Sequence, residues 1–321
     1  MINSTLKRVL LIGCGNIGMR HLQAVTSLDK PLDIMVIEPD DDNRAKAEAS
    51  VEKLSSHVNL RFFADWRNVP KQADLAIVAT PAQPRRKVLE VLLTHTAPKW
   101  LFLEKVVFVT RRDFDEMIGV FADRDIRTVI NCSRRGWPSY DALREKLKGK
   151  ANLSLKVIGS NWNLASNSIH FIDLAVHLFG GLPFSLNADA LIPEDSKHRG
   201  CVEFTGSLIG ACAGGGNLTI TNLKEPGVPL TVEVGNADER WIVEEGNHRL
   251  THFRGNKAIA SEEFYTPFVS QMGYLYQEML YDNVSRMTPF NLSAQEHRPF
   301  IDALRNRLGQ SLEEDAPCPI T

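Results

Sequence analysis

The sequence predicts an α/β protein in two parts, a doubly wound parallel sheet followed by an α+β part with a large, mostly antiparallel open sheet. Three observations carry this. From Arg8 to Asn131, apolar runs of strand length alternate with helix-periodic segments, and a glycine-rich turn joins the first such pair. After about residue 150, short strand candidates follow one another at hairpin spacing. Alternating strands and helices require a parallel sheet with right-handed crossovers, whereas consecutive strands joined by short turns pair antiparallel. The expected boundaries are 1–132 and 133–312 for the two parts, with a loose tail over 313–321.

The first strand is the apolar run Arg8–Ile12, which ends in G-x-G-x-x-G at Gly13, Gly15 and Gly18. A periodic segment follows, with Ile17, Leu22, Val25 and Leu28 apolar. In a strand–turn–helix of this kind the first glycine permits the turn, the second leaves room for a pyrophosphate, and the third lets helix and strand approach. Phosphates would rest on the unpaired amides at Asn16, Ile17 and Gly18. The second strand, 32–37, ends in Glu38, 20 residues beyond Gly18. A carboxylate there can accept both hydroxyls of an adenosine ribose and repels a 2′-phosphate. This predicts a Rossmann-type dinucleotide site with NAD favoured over NADP; were Glu38 turned away, Arg44 would be placed to take the phosphate. The plainer alternative is a glycine turn with Glu38 as a solvated strand end.

A polar helix over 40–53 follows, capped by Asp40 or Asp41. Strands are expected over 58–63, 74–79, 100–103 and 128–131, with helices over 83–95 and 113–121. Ligands of a parallel sheet gather at its carboxyl edge, which here carries Thr80-Pro81 after the fourth strand and Glu104-Lys105 after the fifth. Lys105 would stand beside the nicotinamide and exchange a proton with a substrate hydroxyl if its pKa were lowered. The alternative is a surface lysine paired with Glu104. Arg134 and Arg135 follow the sixth strand, where a guanidinium fork can hold a carboxylate or phosphate; Trp137 and Trp162 can stack on a sugar or serve as core.

In the second part a half-buried strand is expected over 153–159 and a helix over 167–178. Strands are expected over 201–204, 207–213, 217–221, 230–234, 239–244 and 248–254, with turns at Gly206 and Gly214–Gly216. Helices return over 268–285 and 293–308. Ser166, His170, Asp173 and His177 fall three or four apart, on one helix face. Histidine carries protons near neutral pH. His170-x-x-Asp173-x-x-x-His177 has metal-ligand residue types, but no further His or Cys cluster accompanies it, so no metal is expected. The bland reading is a buried helix histidine satisfied by Asp173.

Composition narrows the function. Of 321 residues, 43% are hydrophobic, and 37 basic against 39 acidic residues leave a formal charge of −2. That balance attracts neither nucleic acid nor an anionic membrane. No apolar run reaches 18 residues, the length of a membrane span, and the N-terminal apolar run is too interrupted for a signal peptide. Five scattered cysteines without a C-x-x-C pair suit a reduced, cytoplasmic protein. An open sheet covered on one face predicts a homodimer or homotetramer through the other.

Together, Gly13-x-Gly15-x-x-Gly18, Glu38, Ala79-Thr80-Pro81, Glu104-Lys105, the arginine loop and Ile169-His170-x-x-Asp173 resemble the Gfo/Idh/MocA oxidoreductase family, most closely over residues 6–180. The resemblance implies hydride transfer between NAD(P) and a hydroxyl-bearing carbon of a sugar, polyol, sugar acid or nucleotide sugar. It implies substrate and nicotinamide contact by Lys105 and acid–base chemistry by His170. Arg134, Arg135, Trp162, Asn163, Ser166 and Asn167 become the expected substrate contacts. Three departures accompany it. Val106 stands where many members have proline, and since a cis bond before valine costs about 2.5–4 kcal/mol, a different presentation of Lys105 is expected. Ser166 stands where many carry aspartate. Arg85-Arg86 replaces a common histidine, which suggests altered substrate contacts. Two other readings share the fold: a regulator that binds dinucleotide without turnover, and glycosidic-bond cleavage assisted by tightly held NAD.

Overall fold

The computed structural model describes residues 6–51, 55–212, 215–312 and 315–321. The chain forms two compact units from interleaved segments. The first takes 1–108, 115–131 and 267–290; the second takes 109–114, 132–266 and 291–321.

The first unit runs β1 (Lys7–Ile12), α1 (Asn16–Thr26), β2 (Leu32–Ile37), α2 (Asp41–Ala49), β3 (Val58–Phe63), β4 (Gln72–Val78), α3 (Ala82–His95), β5 (Ala97–Leu103), α4 (Arg111–Asp123) and β6 (Arg127–Ile130). The central strands are continuous apolar runs because helices cover both faces of a parallel sheet, and Val9–Ile12, Leu75–Val78 and Leu101–Leu103 are all buried. Strand order is β3-β2-β1-β4-β5-β6, parallel throughout. The order therefore reverses at β1, whose following turn carries the three glycines, and this is where such sheets bind ligands. Asp40 caps α2, its carboxylate accepting the Asn43 amide at 2.8 Å. The helix expected over 40–53 is described only to Ala49; residues 52–54 lie outside the described residues.

The second unit continues with α5 (Pro138–Leu147), β7 (Ser154–Ser160), α6 (Leu164–Phe179), β8 (Pro183–Asn187), β9 (Leu191–Asp195), β10 (Val202–Cys212), β11 (Asn217–Leu223), β12 (Thr231–Gly235), β13 (Glu239–Glu244), β14 (Arg249–Arg254) and β15 (Lys257–Glu263). These strands form a nine-stranded sheet ordered β15-β14-β13-β12-β7-β11-β10-β8, with β9 also on β10. Only β7 and β11 pair in parallel. One pleat face, with Leu155, Val157, Leu218, Ile220, Val232 and Trp241, is buried, and α6 packs against β10 and β11.

Several expectations are corrected here. Gly206 is not a turn: β10 runs straight through it, pairing with β9 before it and with β8 after it. A Cβ at this position would lie 2.1 Å from the Ala190 carbonyl oxygen, and φ is +94°, so glycine marks a close backbone approach inside the strand. Gly214 lies outside the described residues. β8, β9 and β15 were not expected; β9 contains Pro193, and β15 is exposed along its whole length, so these two show no half-buried alternation.

The helix expected over 268–285 is broken. It consists of a short 3-10 turn, Val269–Gln271, then α7 (Gly273–Gln277) and a π-type turn, Glu278–Asp282. This segment belongs to the first unit and packs on α1, where a Cβ at Gly273 would lie 2.8 Å from Ser27 Oγ. It leads into β16 (Thr288–Pro289), which adds an antiparallel edge to β6, and α8 (Phe290–Arg307). The tail is not loose. Cys318 and Ile320 are buried, the Cys318 amide donates to Val109 at 2.8 Å, and the Val202 amide donates to Pro319 at 2.7 Å; residues 313 and 314 lie outside the described residues. All five cysteines are free thiols. Among the described residues no helix is long and apolar enough to cross a membrane.

Candidate functional site

The glycine turn of the first unit has the form a dinucleotide phosphate needs. Gly13 has φ +82°. A Cβ on Gly18 would fall 2.2 Å from the Gly13 carbonyl oxygen, so only glycine lets α1 start this close to the turn. A Cβ on Gly15 would meet nothing within 4 Å. No side chain caps α1 and no acidic residue lies in its first turn, so the amides that begin at Asn16 and Ile17 keep their partial positive charge for an anion. Glu38 is buried beside this turn; its Oε2 accepts the Cys14 amide at 2.6 Å and its Oε1 the Asp40 amide at 3.0 Å. Burial first, then the Glu38 charge, push the Cys14 thiol up to about 12, so it is no nucleophile. Arg44 donates to the Glu38 carbonyl at 2.8 Å and pairs with Asp41. Thr80 Oγ1, just past the end of β4, is buried without a hydrogen-bond partner. These residues fit a nicotinamide dinucleotide, NAD(P): uncapped amides and an open Gly15 for phosphates, and a fixed carboxylate at the end of β2.

Glu104 and Lys105 end β5. Glu104 is buried, and its Oε1 meets His21 Nε2 at 2.6 Å and Asn131 Nδ2 at 2.5 Å. His21 Nδ1 lies 2.5 Å from the Tyr276 hydroxyl. Burial alone would raise the Glu104 carboxyl, but the His21 hydrogen bond and charge, with Asn131 and Lys105, hold it below the ordinary range. Burial and the Glu104 charge raise the Tyr276 phenol, so it stays a donor. The imidazole thus bridges the two groups, with Nε2 facing the carboxylate and Nδ1 the tyrosine hydroxyl. The surface pairing of Lys105 with Glu104 does not describe this glutamate, which is anchored from inside the unit. Lys105 itself is half-buried between buried neighbours, and the Lys105–Val106 peptide is cis, contrary to the expectation drawn from valine.

Arg85 and Arg86 are not the substrate contacts their replacement of histidine suggested. Arg85 is 1% exposed and donates to the main-chain carbonyls of Thr80, Glu104 (2.7 Å), Val106 and Val107 (2.8 Å). Arg86 pairs with Glu90 at 2.9 Å and Glu116 at 2.8 Å.

In the second unit the arginine loop turns inward. Arg134 forms a two-pronged pair with Glu245, at 2.7 and 2.6 Å, and lies over the Phe171 ring; the Tyr140 hydroxyl donates to the same carboxylate at 2.7 Å. Arg135 Nε donates to Asp173 Oδ1 at 3.0 Å. The forks that were expected to hold a substrate carboxylate are already engaged by internal ones. Trp137 stacks on Tyr140 and is core. Trp162 donates to the Thr221 carbonyl at 3.1 Å and meets Phe171 edge-on.

The expected acid–base helix is α6, and His170 is buried on it. Asn163 precedes the helix with φ +58°, and its side chain does not cap. The carboxylate of Glu203 does so instead: Oε2 accepts the Ala165 amide at 2.7 Å, and Oε1 accepts the Ser166 amide at 3.3 Å and the Ser166 hydroxyl. A carboxylate thus stands at Ser166 after all, supplied from β10. Asn167 donates to the Trp162 carbonyl at 2.8 Å. His177 pairs with Asp141 at 3.0 Å rather than with Asp173, and burial followed by the Arg135 charge lowers its pKa. Among the described residues, no group of three or more His, Cys, Asp or Glu side chains is arranged to hold a metal ion.

Sequence reasoning missed His21, Asn131, Tyr276, Glu203 and Glu245. His21 had a visible signal, a histidine on the apolar stripe of α1 beside Leu22 and Val25. The others are joined by contacts far apart in the chain.

Fold and phosphate turn define an NAD(P)-binding oxidoreductase fold. Residues 7–131 match the profile of the oxidoreductase family with an NAD-binding Rossmann fold, Gfo/Idh/MocA. No curated protein sequence matches the chain. Solved structures share the fold at low identity. UDP-N-acetylglucosamine 3-dehydrogenase GnnA from Acidithiobacillus ferrooxidans has 15% identity and a TM-score of 0.71, with 95% of this chain and 98% of that one covered. An oxidoreductase from Agrobacterium radiobacter, solved with NAD+, L-tartaric acid and magnesium, has 13% identity and a TM-score of 0.72, covering 95% and 97%. A super-repressor mutant of Gal80p from Saccharomyces cerevisiae has 15% identity and a TM-score of 0.72, covering 96% and 97%.

Proposed function

We propose that this chain is an NAD-dependent dehydrogenase or reductase acting on a hydroxyl-bearing carbon of a sugar, polyol, sugar acid or nucleotide sugar. The observation that carries it is the anchored Glu104, which fixes the chain just before Lys105 on the same sheet edge as the open glycine turn. NAD, when bound, supplies the hydride acceptor. Lys105 is the proposed contact of the first unit for a substrate hydroxyl, and His170 the proposed acid–base residue of the second. Glu203, through Ser166, fixes the start of the helix that carries His170. Asn163 and Asn167 remain the proposed substrate contacts of this unit, with Arg134, Arg135 and Trp162 shaping its interior. Five free thiols suit a reducing cytoplasm.

Titration with NADH and NADPH tests the cofactor. Micromolar NADH binding with clear preference over NADPH is expected; equal or stronger NADPH binding would overturn the role of Glu38. In a screen of polyols and sugar acids, Lys105→Ala should cut turnover 10²–10⁴-fold with NADH affinity held within about threefold; unchanged turnover removes Lys105 from the chemistry. A regulator without turnover is the second reading, favoured by the internal engagement of Arg134 and Arg135. Cofactor that survives purification, with glycoside cleavage, would point to the NAD-assisted lyase reading.

The outer face of the nine-stranded sheet supports a homodimer or homotetramer. Register places Ile158 beside Thr221, Thr221 beside Ser207, and Thr219 beside Ile209 on this face, and Ile158 and Ile209 are 41% and 50% exposed. Small hydroxyl side chains with isolated isoleucines suit packing against a second copy. Analytical ultracentrifugation should find an oligomer that Ile158→Arg with Ile209→Arg converts to monomer; a wild-type monomer at micromolar concentration contradicts it.

A further inference from the structure

Arg85 occupies an inward position on α3, in the same stripe as Ala82, Leu89 and Leu92. A guanidinium there is unusual, because burying a charge is costly unless its donors are met. Here its two terminal nitrogens face main-chain oxygens from two different loops. Nη2 donates to Thr80, which follows β4, and Nη1 to Glu104, Val106 and Val107, which follow β5. Burial lowers its pKa, to about 10, against the opposing pull of the Glu104 charge, so it is a cation at neutral pH. Thr80-Pro81 and Glu104-Lys105 are the segments read above as the ligand-binding carboxyl edge of the sheet, with Lys105 beside the nicotinamide. The glycine turn, by contrast, receives no hydrogen bond from Arg85.

We propose that Arg85 is a positioning residue that ties the two loops at the carboxyl edge of β4 and β5 into one rigid ledge and so sets where Lys105 stands. Methionine fills similar space without donors, and would leave the four carbonyl oxygens to seek other partners. The ledge then loosens, while the adenine half of the site, held by Gly13, Gly15, Gly18 and Glu38, does not change. This consequence for the cofactor rests on the dinucleotide reading; the tie itself does not.

Two readouts separate them. Hydrogen–deuterium exchange read by mass spectrometry should rise severalfold in Arg85→Met for peptides covering 79–82 and 104–108 and stay unchanged for 13–18. Unchanged exchange over 104–108 overturns the tie. Paired titrations should show NADH binding weakened at least tenfold with ADP-ribose binding within twofold. Equal losses for both ligands, or none, overturn the positioning role. If Arg85→Met does not fold, Arg85→Lys decides by the same two readouts, since it keeps a cation with fewer well-aimed donors. Wild-type protein that binds neither ligand refutes the dinucleotide reading, and exchange still judges the tie.

Discussion

Alanine at Gly15 should leave the protein as stable as wild type and weaken NADH at least tenfold, or about 1.4 kcal/mol. Alanine at Gly18 should instead cost about 3 kcal/mol of stability. The two positions are three residues apart, yet their surroundings differ. Gly15 has φ −68°, which any residue adopts, and an added methyl meets no protein atom. It projects into the space read as the pyrophosphate seat, so the cost falls on binding alone. At Gly18 the methyl lies 2.2 Å from a backbone oxygen and 3.0 Å from its carbon. No side-chain movement relieves that contact; α1 must move away from the turn. Denaturant unfolding and NADH fluorescence titration of both variants check this. Wild-type NADH affinity in Gly15→Ala would place the phosphates elsewhere, and wild-type stability in Gly18→Ala would show that the turn relaxes.

Opposite signs are expected from the two carboxyl groups at Arg135. Asp173 is buried and holds Arg135 directly, with Arg135 Nη2 at 2.9 Å from Oδ1. Asp173→Asn should cost about 3–5 kcal/mol, because it leaves the guanidinium buried without its countercharge. Glu296 is fully buried and 3.8 Å from Arg135, too far for a hydrogen bond. Burial first, then the Asp173 charge, raise its pKa well above 4.5, against the lowering pull of Arg135. Between 4.5 and that raised value the folded chain holds a proton the unfolded chain has lost. Its contribution to stability therefore falls as pH rises through this window. Glu296→Gln keeps a donor without the titration. It should be close to neutral at pH 5 and stabilising relative to wild type at pH 8. Unfolding curves at both values check this, and a variant whose deficit grows with pH would show that Glu296 is ionised.

What the sequence revealed was what repeats locally. The parallel strands announced themselves as continuous apolar runs, and the glycine spacing located the phosphate turn because its geometry is contained in six residues. Polar partners were harder to read. Arg134 and Arg135 looked available because nothing nearby in sequence neutralises them, yet Glu245 lies 111 residues from Arg134. Ser166 looked like a lost carboxylate because Glu203 reaches it from another strand. Arg85 looked like a substrate contact because only its place in the stripe with Leu89 and Leu92, and not its chemistry, marks it as interior. β15 escaped notice because an edge strand exposed along its length has no buried face to impose a period.

The interleaving of the two units bears on how the protein is made. Tyr276, which completes the hydrogen-bond chain through His21 to Glu104, and Thr288–Pro289, which closes the edge at β6, come from 267–290. A nascent chain that has released the glycine turn and all six parallel strands still lacks both. The ribosome must add well over a hundred more residues, at about 5–20 per second, before the cofactor-binding half can finish folding. For those seconds the face of α1 that receives Gly273 and the outer edge of β6 are open to solvent, and they are the surfaces a chaperone would meet first.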